Sequence, residues 1–333
     1  MRGYPVLALL ALSSACGART GLDVPDVDSE STVNLADAAD SPSSCALGGE
    51  GVTGCGPAGE SCCASLEVPG GTFFRTYVNS GRGPTGEADP ATVSTFRLDK
   101  YDVTVGRFRG FVSAWKGGAG WLPPASSGKH THLNGGQGLV NAGDDAGIAY
   151  ETGWVAADDG NIAPTDANLA CEGSFYDATW TPSVGNRESL PINCVNWYEA
   201  YAFCIWDGGF LPSETEWEYM AAGGTEQREF PWGSSPAPPT PPLPCNASQC
   251  ILPVGSDPQE AARWGQLDMG SDYQWTLDWF APYVDPCADC AGLTASTSQP
   301  PGRVMRGDAL PPAREWMPPA DRGLMVVRCA RTP

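Results

Sequence analysis

The sequence predicts an α+β domain with little regular secondary structure, and three observations carry that expectation. Glycine, proline and tryptophan are abundant, at 41, 31 and 12 of 333 residues, which favours loops pinned by aromatic packing. Only three segments show helical apolar spacing, and the runs that read as strands, Thr72–Tyr77 and Thr92–Leu98, are short. Thirteen cysteines point to a fold that leans on disulfides.

At the N-terminus, Arg2 precedes an apolar run, Val6–Leu12, that is too short for a permanent spanning helix and fits a signal peptide. The run ends in Leu12-Ser13-Ser14-Ala15-Cys16, which resembles a bacterial lipobox with Cys16 as the lipidated residue. Residues 1–16 are therefore expected to direct export. Gly17, standing where an Asp would favour inner-membrane retention, favours an outer-membrane anchor. The expectation is a lipid-anchored protein of the bacterial cell envelope.

Residues 17–44 are rich in Asp, Ser, Ala and Thr; they cannot bury enough apolar surface to offset ordering entropy and read as a disordered acidic tether. Residues 45–65 carry Cys45, Cys55, Cys62 and Cys63 among glycines and read as a disulfide-stapled collar. Cys62 and Cys63 are adjacent, so each is expected to bridge to a different partner. Setting Cys16 aside leaves an even twelve: Cys45, Cys55, Cys62, Cys63, Cys171, Cys194, Cys204, Cys245, Cys250, Cys287, Cys290 and Cys329. That number suits an oxidising compartment and leaves the connectivity open.

The formal charge is −20, from 39 acidic and 19 basic residues. The acids Asp23, Asp26, Asp28, Glu30, Asp37, Asp40, Glu50 and Glu60 face the single base Arg19 across residues 17–60, and the rest of the chain is acidic too. Such a surface repels phosphates, so nucleic acid is excluded as a partner.

Residues 66–333 read as one domain. In Val103–Trp115 the apolar Val105, Phe108, Phe111, Val112 and Trp115 fall at helical spacing. Asn196–Trp206 opens on a capping Asn with Glu199 three residues on, and stops at Gly208-Gly209. Ser213–Ala222 repeats the device with Ser213, Glu216 and Gly223-Gly224. Ser234–Pro244 is a proline-rich excursion expected on the surface. Lys129-His130-Thr131-His132 holds both histidines; on a strand their rings would share one face and could hold a metal with a carboxylate, whereas a hydrogen-bonded loop pair is the simpler reading. The tryptophans are expected mostly in the core.

The order of these pieces is similar to that of the formylglycine-generating (sulfatase-modifying factor) enzyme family. Val68-Pro69-Gly70-Gly71-Thr72-Phe73 resembles its IPGGxF strand, and Phe96–Thr104 its entry into the first helix. Leu190–Trp197 resembles HPVxxVSW, and Gly209–Tyr219 resembles GRLPTEAEWEY, followed by Phe230-Pro231-Trp232-Gly233 for YPWG. Gln274–Trp279, Arg303–Gly307 and Val327–Ala330 resemble EWTSDW, RVxRGG and GFRCA. The resemblance implies the compact C-type-lectin-like fold of that family.

It also implies an activity, the oxidation of a protein cysteine by two cysteines placed just after the RGGS turn, where soft thiolates hold Cu(I). Here that stretch runs from Arg306 to Trp316 with Asp308 and Ala309 in the turn, and no cysteine occurs between Cys290 and Cys329. No catalytic residue is therefore assigned. Cys287 and Cys290 could serve as a displaced pair or be disulfide half-cystines. The family's calcium loop is altered as well: Asp268 is retained, Asp272 offers an oxygen, and Gln274 replaces a charged Glu. Calcium is the one cofactor the resemblance leaves open. The expected function is a non-catalytic binding or scaffold role toward a peptide, protein or glycan ligand, and the alternative is a formylglycine-generating-type oxidoreductase.

Overall fold

In a computed structural model of the chain, the described residues are 41–79, 84–141, 148–171, 178–233, 251–269, 273–296, 300–307 and 310–333. Cys16 and the signal segment, most of the tether, the proline-rich insert with Cys245 and Cys250, and Asp272 lie outside them.

Four α-helices punctuate the described chain: α1 (Val105–Trp115), α2 (Asp166–Leu169), α3 (Trp197–Trp206) and α4 (Glu214–Ala221). Local chemistry sets where they start. Thr104 accepts from the backbone N–H of Arg107, and both Asn196 with Glu199 and Ser213 with Glu216 close reciprocal capping boxes, each worth about 1 kcal/mol. The capping residues themselves lie outside the helices, so the expected starts at 103, 196 and 213 move inward by one or two residues. The four-residue α2, capped by Thr165, has no sequence periodicity to announce it.

The strands are two to six residues long and form small sheets. In one, Phe96–Asp99 lies between Ser65–Val68 and Ala330–Arg331, antiparallel to both. In a second, Pro90–Val93 pairs antiparallel with Gly71–Phe74 and parallel with Cys287–Ala288. In a third, Arg303–Arg306 lies between Gln274–Trp279 and Glu315–Met317. The single strand expected over 92–98 is thus two strands in different sheets. The chain turns at Ser94-Thr95, where Asp289 accepts from the Ser94 backbone N–H (2.6 Å) and hydroxyl (2.7 Å). That partner is nearly two hundred positions away, so local alternation cannot reveal the break.

A small apolar cluster, made of Cys55, Cys62, Tyr101, Val254 and Leu267, and two large ones fill the interior. One gathers around α1 and α3, where the rings of Phe108, Phe111 and Phe203 stand 5.4–6.0 Å apart. The other joins Trp217, Tyr219, Met220 and Ala221 of α4 to the first two sheets. Six of the twelve tryptophans are buried and Trp121, Trp206 and Trp264 pack against the core; Trp154, Trp217 and Trp275 are among the largest fully buried side chains.

Disulfides join Cys45–Cys63, Cys55–Cys62, Cys171–Cys194, Cys204–Cys329 and Cys287–Cys290. Cys62 and Cys63 do take different partners. The segment they staple lies directly on α1: Gly51 has φ +76°, and a Cβ there would stand 2.0 Å from the Glu188 carbonyl oxygen, so only glycine fits.

Candidate functional site

Every residue of α4 is buried, three glutamates included. A buried carboxylate needs a partner, and the three find theirs on opposite sides of the helix. Glu214 and Glu218, one turn apart, share a face and would repel each other but for Arg306, whose Nη2 lies 2.7 Å from an oxygen of each. Arg306 also donates to the carbonyls of Pro311 (2.9 Å) and Ala313 (3.1 Å) and to the Tyr283 hydroxyl (3.1 Å). Arg314 adds a second ion pair to Glu214, with Nη2 at 2.8 Å from Oε2, and stacks over the Tyr283 ring at 4.2 Å.

One guanidinium cannot neutralise two buried acids equally. Burial opposes ionisation of Glu214, yet Arg306 and Arg314 hold it below its ordinary value. Burial pushes Glu218 up to about 8, Arg306 opposing this and Glu214 reinforcing it. Glu218 is therefore the member that carries a proton at neutral pH. The segment where the family resemblance places thiolates is in this chain closed by two arginines clamped to α4. A copper site of the family's kind has no thiolate to hold the metal there.

Beside this clamp is a void of about 10 Å³, lined by Arg75, Glu214, Thr215, Asp278, Cys290 and Arg314 among others, with room for about one water. Burial, with Glu214 adding to it, pushes the Asp278 carboxyl up to about 6. Cys290 of the Cys287–Cys290 disulfide lines the void, with the Thr215 hydroxyl 3.9 Å from each sulfur.

On the opposite side of α4, Glu216 Oε2 lies 3.1 Å from His130 Nε2, and Glu151 Oε2 lies 3.0 Å from Nδ1. Burial disfavours the imidazolium, but Glu216 and Glu151 together raise its pKa to about 10. His130 sits in a loop rather than a strand, and both its ring nitrogens are engaged by carboxylates, so it has no lone pair for a metal. His132 is half-buried, stacks on Phe210 at 5.8 Å and finds no hydrogen-bond partner among the described residues.

Two of the three calcium candidates are described, and they converge on a cation already present. Gln274 Oε1 accepts from Trp217 Nε1 (2.7 Å) and Arg328 Nε (3.0 Å), and Asp268 Oδ1 accepts from the Gly255 N–H (2.6 Å). Arg328 also pairs with Asp102 at 2.9 Å. Calcium requires six to eight oxygens; here Gln274 Oε1 and Asp268 Oδ1 are taken by protein donors, and Asp268 Oδ2 is left without a hydrogen-bond partner among the described residues. Among the described residues, no group of three or more His, Cys, Asp and Glu side chains could hold a metal. Sequence reasoning did not identify Glu214, Glu218, Arg306 and Arg314 as one cluster. The available signal was two glutamates one turn apart on a helix with no polar face.

A wider recess of about 470 Å³ opens on the surface between α1 and the loop after α2, lined by Arg109, Val112, Asp166, Trp180, Pro182 and Val184 among others. Arg109 stacks over Trp180 at 4.3 Å and pairs with Glu188 at 2.7 Å.

The chain is 28% identical over 242 residues to a formylglycine-generating enzyme of Thermomonospora curvata, covering 65% of this chain and 71% of that protein. It is 27% identical over 311 residues to the inactive C-alpha-formylglycine-generating enzyme 2 of Mus musculus, covering 81% of each. Among solved structures, PvdO from Pseudomonas aeruginosa superposes with a TM-score of 0.47 at 18% identity, over 81% of this chain and 94% of that one. The Sulfatase-modifying factor enzyme 1-like domain matches residues 55–329, and with the family's motifs present in order the chain belongs to that domain family.

Proposed function

We propose that this is an exported, lipid-anchored envelope protein whose sulfatase-modifying-factor domain is non-catalytic and serves as a rigid binding or scaffold platform. The observation that carries the reading is the clamp at 306–314. Where the family's oxidase chemistry needs thiolates, Arg306 and Arg314 are tied to Glu214 and Glu218. The likeness to an inactive mammalian relative over 81% of the chain supports it. The void beside the clamp is water-sized, which leaves the recess around Trp180 as the surface suited to a peptide or glycan.

The alternative is an oxidoreductase of the formylglycine-generating type with a displaced cysteine pair. Titration of free thiols in the purified, oxidised protein separates the two. With all twelve non-lipid cysteines bridged and no copper taken up, the oxidase is excluded. Two free thiols with stoichiometric copper would overturn the platform reading. A Cys16→Ser variant should appear in the soluble fraction instead of the membrane fraction; retention in the membrane would remove the lipid anchor from the proposal. Peptide and glycan arrays probed with the soluble domain test the binding role, and silence on both would leave a scaffold.

A further inference from the structure

Arg75 is buried to 1% exposure, yet among the described residues its donors reach no carboxylate. Nε and Nη2 go to the carbonyls of Asp89 (3.1 Å) and Val284 (2.8 Å), and Nη1 points at Cys290 Sγ from 3.8 Å. The ring of Tyr283 stacks on it at 4.4 Å. Glu218, Asp89 and Glu214 act on it only at longer range. A buried cation without a direct counter-ion is costly, and here it faces a sulfur of a Cys-x-x-Cys disulfide.

We propose that Cys287–Cys290 is a thiol–disulfide exchange site for a low-molecular-weight dithiol, with Arg75 as the positioning residue for the Cys290 thiolate. Breaking the S–S bond toward Cys290 would give Arg75 the anion it lacks, and a nearby cation makes a better thiolate leaving group. Cys287 is the sulfur to attack, at 6% exposure against 1% for Cys290. One substrate thiolate bonds to Cys287 Sγ, and the electron pair of the broken S–S bond leaves on Cys290. The second substrate thiol then attacks the mixed disulfide and releases Cys287. The dithiol departs as a disulfide; its two electrons remain on Cys287 and Cys290, one proton stays on Cys287, and the other is released, leaving Cys290 a thiolate beside Arg75. Thr215, 3.9 Å from both sulfurs, can donate to either thiolate. The carboxyl of Asp278 lines the same void and can accept a proton through one water. The proposal concerns a disulfide that is closed in the oxidised protein, so it stands or falls independently of the platform reading.

The experiment equilibrates the folded full chain in graded dithiothreitol buffers, traps thiols by alkylation and quantifies each cysteine pair by mass spectrometry, with circular dichroism reporting the fold. Cys287–Cys290 should open at reductant ratios about tenfold or more below those that open Cys171–Cys194 and Cys204–Cys329. Arg75→Met should shift its equilibrium on the order of tenfold toward the disulfide, as expected for loss of one nearby charge, and Arg75→Lys should recover most of the shift. Thr215→Val should move it in the same direction by less, and decides the matter together with the wild-type ranking if Arg75→Met does not fold. Opening in step with Cys204–Cys329, opening only on unfolding, or an unshifted equilibrium in a folded Arg75→Met protein would each overturn the proposal.

Discussion

Two buried charge clusters sit in this domain, built from the same residue types and doing different things. In the first, Asp99 and Asp207 face Arg107 and Arg331, and each arginine touches both acids: Arg107 at 3.0 and 2.6 Å, Arg331 at 3.0 and 2.7 Å. Ser44 completes it, its N–H donating to Asp207 (2.8 Å) and its hydroxyl accepting from Arg107 (3.0 Å). In the second, Glu214, Glu218 and Asp278 meet Arg75, Arg306 and Arg314 around a void, and the pairing is uneven. Among the described residues, Arg306 serves two acids while its own Nε finds no partner, and Arg75 has no carboxylate in contact. Burial pulls against ionisation of Asp207, yet Arg107 and Arg331 keep it below its ordinary value, whereas Glu218 rises to about 8. A balanced cluster acts as a clasp. An unbalanced one stores proton affinity and an unspent cation beside a reactive bond.

The largest effect should come from the covalent link beneath the clasp. Cys204→Ser with Cys329→Ser opens a loop with a sequence separation of 125 and should cost about 5 kcal/mol on the loop-entropy scale, read as a loss of denaturant midpoint. Next, Arg107→Met leaves two buried aspartates to one arginine and should cost about 3–5 kcal/mol. Arg314→Met in the second cluster should cost only about 1–2 kcal/mol, because Arg306 and proton uptake cover the loss. Equal losses from these two variants would erase the distinction between clasp and cavity wall.

The pH dependence sharpens the same contrast. Glu218, at about 8, and His130, at about 10, hold protons more tightly folded than unfolded, their ordinary values being 4.5 and 6.5. The contribution of Glu218 is therefore complete below 4.5 and is lost as pH rises to about 8; that of His130 is complete below 6.5 and is lost toward about 10. Asp207 works in the opposite sense: its contribution is present above 3.8 and is lost as pH falls. Unfolding free energy should thus decline from about pH 5 to pH 9, and Glu218→Gln should flatten the part below pH 8 without destabilising at pH 8. An unchanged slope in that variant would mean that Glu218 is ionised. The smallest effect belongs to Ser213→Ala, which removes one half of a capping box and should cost about 1 kcal/mol in thermal or chemical melts.

What could be read from the sequence was what is local. The capping boxes at Asn196 and Ser213 involve residues three apart, so helix starts were legible to within a residue or two. The roles of Glu214 and Glu218 were not, because Arg306 and Arg314 lie 88 and 100 positions downstream. The same reason hides the strand break at Ser94 and the clamping of His130, whose partners Glu151 and Glu216 come from separate segments. The missing thiolates between Cys290 and Cys329 needed no structure to see. What the fold adds is that Arg306 and Arg314, at the two ends of the 306–314 stretch, are tied to α4.

The tie at residues 328–331 has a consequence for how such a chain is made. Arg328 reaches the carbonyls of Asp99 and Lys100, Cys329 bridges to Cys204, Ala330 pairs with Leu98 and Phe210, and Arg331 completes the clasp. A polypeptide that emerges N-terminus first therefore holds the strand Phe96–Asp99 and the charge of Arg107 unfinished until residue 331 is free of the ribosome. The core closes only after residues 96–331 are all out, so this strand waits on the most distant of its partners.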